Sequence, residues 1–150
     1  MLRIELPDEP SDELVDAFRR LLPQLSQTAP IPDAEAVKEI VSSPSTTVLA
    51  ARDEGGIIGL LTLAVFRAPT GLRAWIEDVV VDEAARGRGT GEALTREAVR
   101  LAGERGARTV DLTSRPSREA ANRMYEKVGF RRRDTNVYRY ELGSVASGSL

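Results

Sequence analysis

The chain has 150 residues, 41% of them hydrophobic and 29% charged, a size and balance that predict one folded domain able to bury about 70% of the surface its unfolded form exposes. It contains no Cys and no His, which excludes disulfide staples, Ser-His-Asp hydrolysis, Cys-His nucleophilic catalysis and zinc sites built on either ligand. Twenty-one basic against 23 acidic residues give a net charge of −2, which argues against nucleic acid as the partner. The longest apolar run, Ile57 to Phe66, is interrupted by Gly59 and Thr62 and falls short of the roughly 20 residues a membrane span needs, so no membrane partner is expected. Met1 to Glu5 has no apolar signal core, and a cytoplasmic location is the expectation.

Leu2, Ile4 and Leu6 alternate with polar residues and predict a short first strand. Ser11 is placed to cap a helix whose inner face is Leu14, Phe18, Leu21, Leu22 and Leu25, and Asp33 a second helix facing inward through Val37, Ile40 and Val41. Then the period changes. Thr46 to Arg52 and Ile57 to Phe66 read as antiparallel strands joined by a turn at Asp53-Glu54-Gly55-Gly56. Arg67 to Arg73, with Pro69, Thr70 and Gly71, reads as a loop, and Ala74 to Val81 as a fourth strand. Ala93, Leu94, Ala98, Leu101 and Ala102 mark a helix that opens in a glycine-rich segment and closes near Gly103 or Gly106.

Thr109 to Thr113 is the fifth expected strand, and Ser117 the expected cap of a last helix with a stripe of Ala121, Met124, Tyr125 and Val128 ending at Gly129. A final hairpin is expected over Phe130 to Leu142, followed by a flexible tail from Gly143 to Leu150. The domain would span residues 1–142. The order predicts an α+β fold of layered α/β type, with a mostly antiparallel first half and a parallel strand, helix, strand crossover between Val79 and Leu112.

The chemistry concentrates in Val79-Val80-Val81-Asp82-Glu83-Ala84-Ala85-Arg86-Gly87-Arg88-Gly89-Thr90-Gly91-Glu92, where a strand passes through an acidic turn into a glycine-rich helix start. Three glycines in five positions let backbone N–H groups converge, the helix start adds about half a positive charge, and Arg86 and Arg88 bring formal charge, so the junction suits an anion. The P-loop run of glycine, four residues and Gly-Lys-Ser/Thr is absent. The dinucleotide fingerprint also fails, because its third glycine position is Glu92 and the glycine falls one early at Gly91.

Read as Arg86-x-x-Gly89-x-Gly91, the segment resembles the pyrophosphate-binding signature of the GNAT superfamily of acyl-CoA-dependent N-acetyltransferases, and Asn122-x-x-Tyr125-x-x-x-Gly129-Phe130 resembles a second element of that family. The resemblance covers about Thr46 to Leu142. It implies a twisted, mixed, mostly antiparallel sheet with helices on both faces, acetyl-CoA as co-substrate and no metal. It also implies that Val79, Val80 and Val81 form the strand that meets pantetheine through backbone groups of Val79 and Val81. By the same resemblance Arg86, Gly87, Arg88, Gly89, Thr90 and Gly91 hold the diphosphate, Asn122 fixes the pantetheine arm, and Tyr125 faces the leaving thiolate.

A base for the amine must be a carboxylate or a relayed water in a chain without His. Glu77 is the first candidate, expected to share a face with Trp75 and Val79 and to be partly buried there; Asp78, on the other face, is the next. Without Cys, direct attack of the amine is expected rather than an acyl-enzyme. The expected acceptor is a small-molecule primary amine, approaching over the first two helices, the Arg67 to Arg73 loop and Thr135 to Tyr138. A protein or peptide amine and a non-catalytic acyl-CoA sensor are the alternatives, and a homodimer is compatible with each. Arg131-Arg132-Arg133 reads as a solvated strand edge.

Overall fold

The structure, a computed structural model, describes residues 1–143. Five strands form one sheet in chain order: β1 (Arg3–Glu5), β2 (Thr46–Asp53), β3 (Gly56–Ala68), β4 (Gly71–Val81) and β5 (Thr109–Asp111). All neighbours pair antiparallel except β4 and β5, which are parallel, as the crossover through a helix requires. The helices are α1 (Asp12–Leu25), α2 (Ala34–Ser42), α3 (Thr90–Glu104) and α4 (Glu119–Val128).

Strand alternation divides the apolar side chains between two layers. Val48, Ala50 and Leu60 face α1 and α2, meeting Leu14, Phe18, Leu21 and Val37. Leu49, Ala51, Leu61 and Leu63 face the other way, onto Leu94, Ala98, Leu101 and Ala102 of α3. The expected caps of the first two helices form: Leu14 N–H donates to Ser11 Oγ at 3.2 Å and Ala36 N–H to Asp33 Oδ1 at 2.9 Å.

Four expectations are corrected. The Arg67 to Arg73 loop is strand, with Arg67 opposite Leu72 and Ala68 opposite Gly71; only Pro69 and Thr70 turn the chain, because cross-strand pairing overrides the weak local signal. β5 stops at Asp111 rather than Thr113, where its pairing with β4 ends. Ser117 does not cap α4, which begins after Arg118 without a side-chain cap. The Phe130 to Leu142 hairpin is absent: no strand forms there, and residues 131–143 are all exposed, the three arginines Arg131 to Arg133 among them. Of the expected tail, residues 144–150 lie outside the described residues.

One ionic cluster ties the first strand and helix to the sheet. Arg52 Nε donates to Glu5 Oε1 at 3.0 Å, and its two terminal nitrogens donate to both oxygens of Glu13 at 2.8 and 2.7 Å. The Arg52 guanidinium holds the Glu13 carboxyl below its ordinary 4.5. A depressed carboxylate contributes stability above its unfolded value and loses it as pH falls through the folded one. Arg52→Met is therefore expected to cost about 1 kcal/mol at pH 7, since both carboxylates are largely solvated. In thermal melts the gap between wild type and variant should narrow below pH 4.5, and a gap independent of pH would contradict this account.

Candidate active site

The site is built on a break in the sheet. β4 and β5 pair at only three positions, ending at Trp75 opposite Asp111, and β4 then runs on from Ile76 to Val81 with no strand on that side among the described residues. Its other edge stays bonded to β3, which holds it in place.

Within that free length lies a β-bulge. Leu60 opposes Val80 and Thr62 opposes Glu77, so Leu61 faces both Asp78 and Val79. Asp78 takes φ +52°, the left-handed region that Asp tolerates better than most residues. The bulge reverses the alternation. Ala74 and Ile76 face α3, as do Val79 and Val81, while Val80 joins the α1 and α2 layer.

This corrects the expectation for Glu77. It stays beside Trp75, whose Nε1 donates to Glu77 Oε2 at 2.8 Å, but Val79 lies on the opposite face. Nor is Glu77 partly buried; both it and Asp78 are exposed, and simple alternation does not describe where they point.

Past Val81 the chain turns sharply, and α1 fixes that turn. Arg20 donates to Asp82 Oδ2 at 3.1 Å and to the Ile57 carbonyl at 2.9 Å, while Gln24 Oε1 accepts from the Glu83 N–H at 2.8 Å. Asp82 Oδ1 accepts from the Ala84 N–H at 3.2 Å. Sequence reasoning missed Arg20 and Gln24; their only signal is a spacing of four on the polar border of the first helix.

Gly87 and Gly89 then adopt φ +82° and +79°, and a Cβ on either would meet nothing within 4 Å. Gly89 precedes the first turn of α3 without a side-chain cap, leaving the N–H groups of that turn without side-chain or intrahelical acceptors. The amide face is thus open, and the helix dipole gives it the positive character that suits an anion. Arg86 and Arg88 are exposed beside it. Arg86 Nε donates to the Val81 carbonyl at 3.2 Å; Arg88 donates to the Ala84 carbonyl at 3.3 Å and approaches Asp53 at 3.6 Å.

Glu92, in the first turn of α3, would repel an anion if it were unpaired. Arg96 and Lys127 neutralise it at 2.9 and 3.0 Å, and these bonds hold its carboxyl below the ordinary value, Arg96 having the larger effect.

α4 closes the other wall. Met124 Cε and Val81 Cγ2 lie 3.5 and 3.8 Å from where a Cβ on Gly91 would stand, so the end of β4, the start of α3 and α4 meet at that glycine. Tyr125 is buried, packs edge-on against Phe130 with ring centroids 5.8 Å apart, and has its phenol pushed above its ordinary 10 by burial, an effect the nearby Arg118 cation only partly offsets. Asn122 is half-buried, and its Nδ2 donates to the Arg115 carbonyl at 3.1 Å, fixing the loop after β5. In that loop Ser114 Oγ is buried without a hydrogen-bond partner among the described residues, an orphan hydroxyl that nothing in the sequence marks out.

The structure brings the end of β4, the glycine-rich start of α3 and Met124 of α4 together at Gly91, and Asn122 and Tyr125 stand on the same helix as Met124. A mixed sheet opening at its parallel pair beside a glycine-rich helix start is the architecture of the acyl-CoA N-acyltransferase fold. The description "Acetyltransferase (GNAT) family" matches residues 11–130, and the chain belongs to that family. Among curated proteins, none matches.

Solved structures match over nearly the whole chain. An acetyltransferase of Trypanosoma brucei is 26% identical with TM-score 0.77, covering 95% of this chain and all of its own. An aminoglycoside acetyltransferase from an uncultured soil metagenomic sample, solved with sisomicin, shares the fold at 22% identity and TM-score 0.81, covering 95% of this chain and 97% of its own. A ribosomal-protein-alanine N-acetyltransferase of Brucella melitensis shares it at 23% identity and TM-score 0.76, covering 95% of this chain and all of its own.

The bulge can be tested directly. Asp78→Gly is expected to keep the thermal midpoint or raise it by a few degrees, since glycine takes positive φ freely. Asp78→Val is expected to cost about 1–2 kcal/mol and to weaken coenzyme A binding by calorimetry. Unchanged stability and binding in the valine variant would mean that Asp78 does not set the bulge.

Proposed function

We propose that the protein transfers the acetyl group of acetyl-CoA directly to a primary amine of a small molecule. The observation that carries this reading is the unpaired length of β4, which starts at the last β4–β5 pair and leads into the open amide face at Gly87 to Gly91. Acetyl-CoA bound there would supply an activated acetyl thioester. Backbone groups of Val79 and Val81 would bond the pantetheine arm as a neighbouring strand does, one N–H drawing charge from the thioester carbonyl. The amides from Gly87 to Gly91, with Arg86 and Arg88, would hold the diphosphate, and Asn122 the arm.

In the transfer the amine nitrogen attacks the carbonyl carbon, a C–N bond forms, the C–S bond breaks, and the amine loses one proton. Glu77, steadied by Trp75, is the carboxylate we assign to receive that proton, directly or through water, with Asp78 next to it in the bulge. Tyr125 acts on the thiolate as it departs. A cysteine-like thiol has pKa near 8.5, so full proton transfer from an unshifted phenol is already uphill by about 2 kcal/mol. Burial of Tyr125 widens that gap. Its role is therefore a donated hydrogen bond rather than a completed proton transfer.

The two-residue turn at Pro69-Thr70 favours a second reading, an amine on a peptide, because it raises no long wall on the acceptor side. Both kinds of acceptor occur in the names of proteins that share the fold, so acceptor choice rests on this chain's own side chains.

Calorimetry should detect coenzyme A and its acetyl ester at micromolar to millimolar concentrations; no heat at all would remove the proposal. Free thiol release over a panel of small amines and peptides should reveal turnover and rank the two acceptor classes, whereas tight binding with no turnover on any of them would leave an acyl-CoA sensor. Tyr125→Phe is expected to lower kcat about 10–100-fold with little change in KM for the cofactor, and an unchanged kcat would withdraw the role given to Tyr125. Because the folded phenol titrates above 10, wild-type activity should not fall between pH 8 and 9.5 on account of Tyr125.

A further inference from the structure

Beside the break in the sheet, part of one sheet face carries an aromatic ring that no helix covers. Leu61, Leu63 and Val65 of β3 and Ala74 and Ile76 of β4 point to α3, so Thr62, Ala64 and Phe66, with Arg73, Trp75 and Glu77, stand on the opposite side. The helices α1 and α2 pack on that side over Leu60 and Val80. Trp75, Ala64 and Phe66 nevertheless belong to neither apolar layer; the first two are half-buried and Phe66 is 48% exposed. An indole is among the largest apolar surfaces a chain can bury, and here part of it stays in water.

β5 brings a carboxylate to the same face. Val110 and Leu112 pack in the α3 layer, which turns Asp111 to the other side, directly across from Trp75 in the parallel ladder. Trp75 therefore lies between two carboxylates, Glu77 two residues along its own strand and Asp111 on the next, with their backbones about 8 Å apart. Neither has a salt-bridge partner among the described residues. Arg73 stands two residues back on this face, but its Nη2 donates to Thr70 Oγ1 at 2.6 Å, toward the β3–β4 turn. The bond from Trp75 Nε1 to Glu77 Oε2 at 2.8 Å fixes the ring beside the carboxylate assigned to receive the amine's proton.

We propose that this face selects an acceptor with two cationic nitrogens, a diamine or longer polyamine whose carbon chain crosses the Trp75 ring. One nitrogen stands at Glu77, gives up its proton there and takes the acetyl group; the second stays protonated and pairs with Asp111. The charges favour this occupant over an amine that ends in a carboxylate, because two carboxylates face the ring and the one cation on the face is drawn to Thr70. The ring adds cation–π attraction for whichever ammonium lies over it and apolar contact for the methylenes between. The assignment rests on the acetyl transfer proposed above, which makes Glu77 the reacting end.

Trp75 is the only tryptophan of the chain, so its fluorescence reports this face without any turnover. In the full chain saturated with coenzyme A, putrescine should change Trp75 emission saturably, and butylamine and γ-aminobutyrate, which lack the second ammonium or carry a carboxylate near its place, should need concentrations about tenfold higher. In thiol release from acetyl-CoA, Asp111→Asn should raise the KM for putrescine about tenfold and close the gap between the amines, with circular dichroism native. An equal response to the three amines, a lead for γ-aminobutyrate, or a gap that survives Asp111→Asn would each overturn this recognition while leaving acetyl transfer to those amines in place. Saturable putrescine binding that depends on Asp111 but never releases thiol would do the reverse, supporting the face and withdrawing the transfer.

Discussion

Everything at the site depends on two strands that begin as neighbours and then part. If the β4–β5 ladder continued past Trp75 and Asp111, each N–H and C=O on that edge of β4 would be satisfied within the sheet and none would remain for a ligand. The bulge at Asp78 acts in the same stretch. An extra residue opposite Leu61 sharpens the local twist and brings Val79 and Val81 round to the α3 side, where Val81 touches the glycine at the start of that helix. A regular strand would place those side chains in the α1 layer and Val80 against α3. The positive φ of Asp78 is thus the local strain by which the strand is re-aimed.

A cradle of backbone amides needs rigid supports, since loose glycines would have to give up their conformational freedom on binding. The supports here are side chains from other elements. Arg20 and Gln24 on α1 grip the acidic turn before the glycines, Asp53 at the end of β2 faces Arg88, and Lys127 on α4 reaches Glu92 on α3. Each pair is solvated and individually weak. Their value lies in geometry: they fix where the turn enters and where the helix leaves, while Gly87 and Gly89 keep the space between them open.

What the sequence made legible follows from how local each signal is. The caps at Ser11 and Asp33, the helix start at Gly89 and its stop at Gly129 for α4 depend on a few adjacent residues and could be read directly. The open, left-handed backbone of Gly87 and Gly89 was legible for the same reason. The face of Glu77 was not, because a bulge is a property of two paired strands and Asp78 carries no mark of it in its own sequence context. Pro69-Thr70-Gly71 resembled a longer loop because turn residues advertise the bend but not how far the flanking strands stay paired. The Phe130 to Leu142 segment has the alternation of a hairpin, and that alternation reports a need for burial without saying which surface answers it.

The absence of His and Cys would leave the proposed transfer to weaker groups, and acyl transfer from a thioester asks little of them. A thioester is already activated and a thiolate is a tolerable leaving group near neutral pH, so the barrier lies mainly in alignment and in the charge gathering on the carbonyl oxygen. In the proposed transfer, alignment would come from the strand edge. Charge on the oxygen needs an N–H that bonds to nothing else, which the parting of β4 from β5 leaves available. In the proposed transfer a buried phenol held neutral would complete the set better than a stronger acid, since a group that ionised near pH 7 would place a negative charge beside a thiolate. In the role proposed for Tyr125, burial would serve packing and catalysis by the same means: the apolar wall that holds the ring against Phe130 keeps its proton on the oxygen.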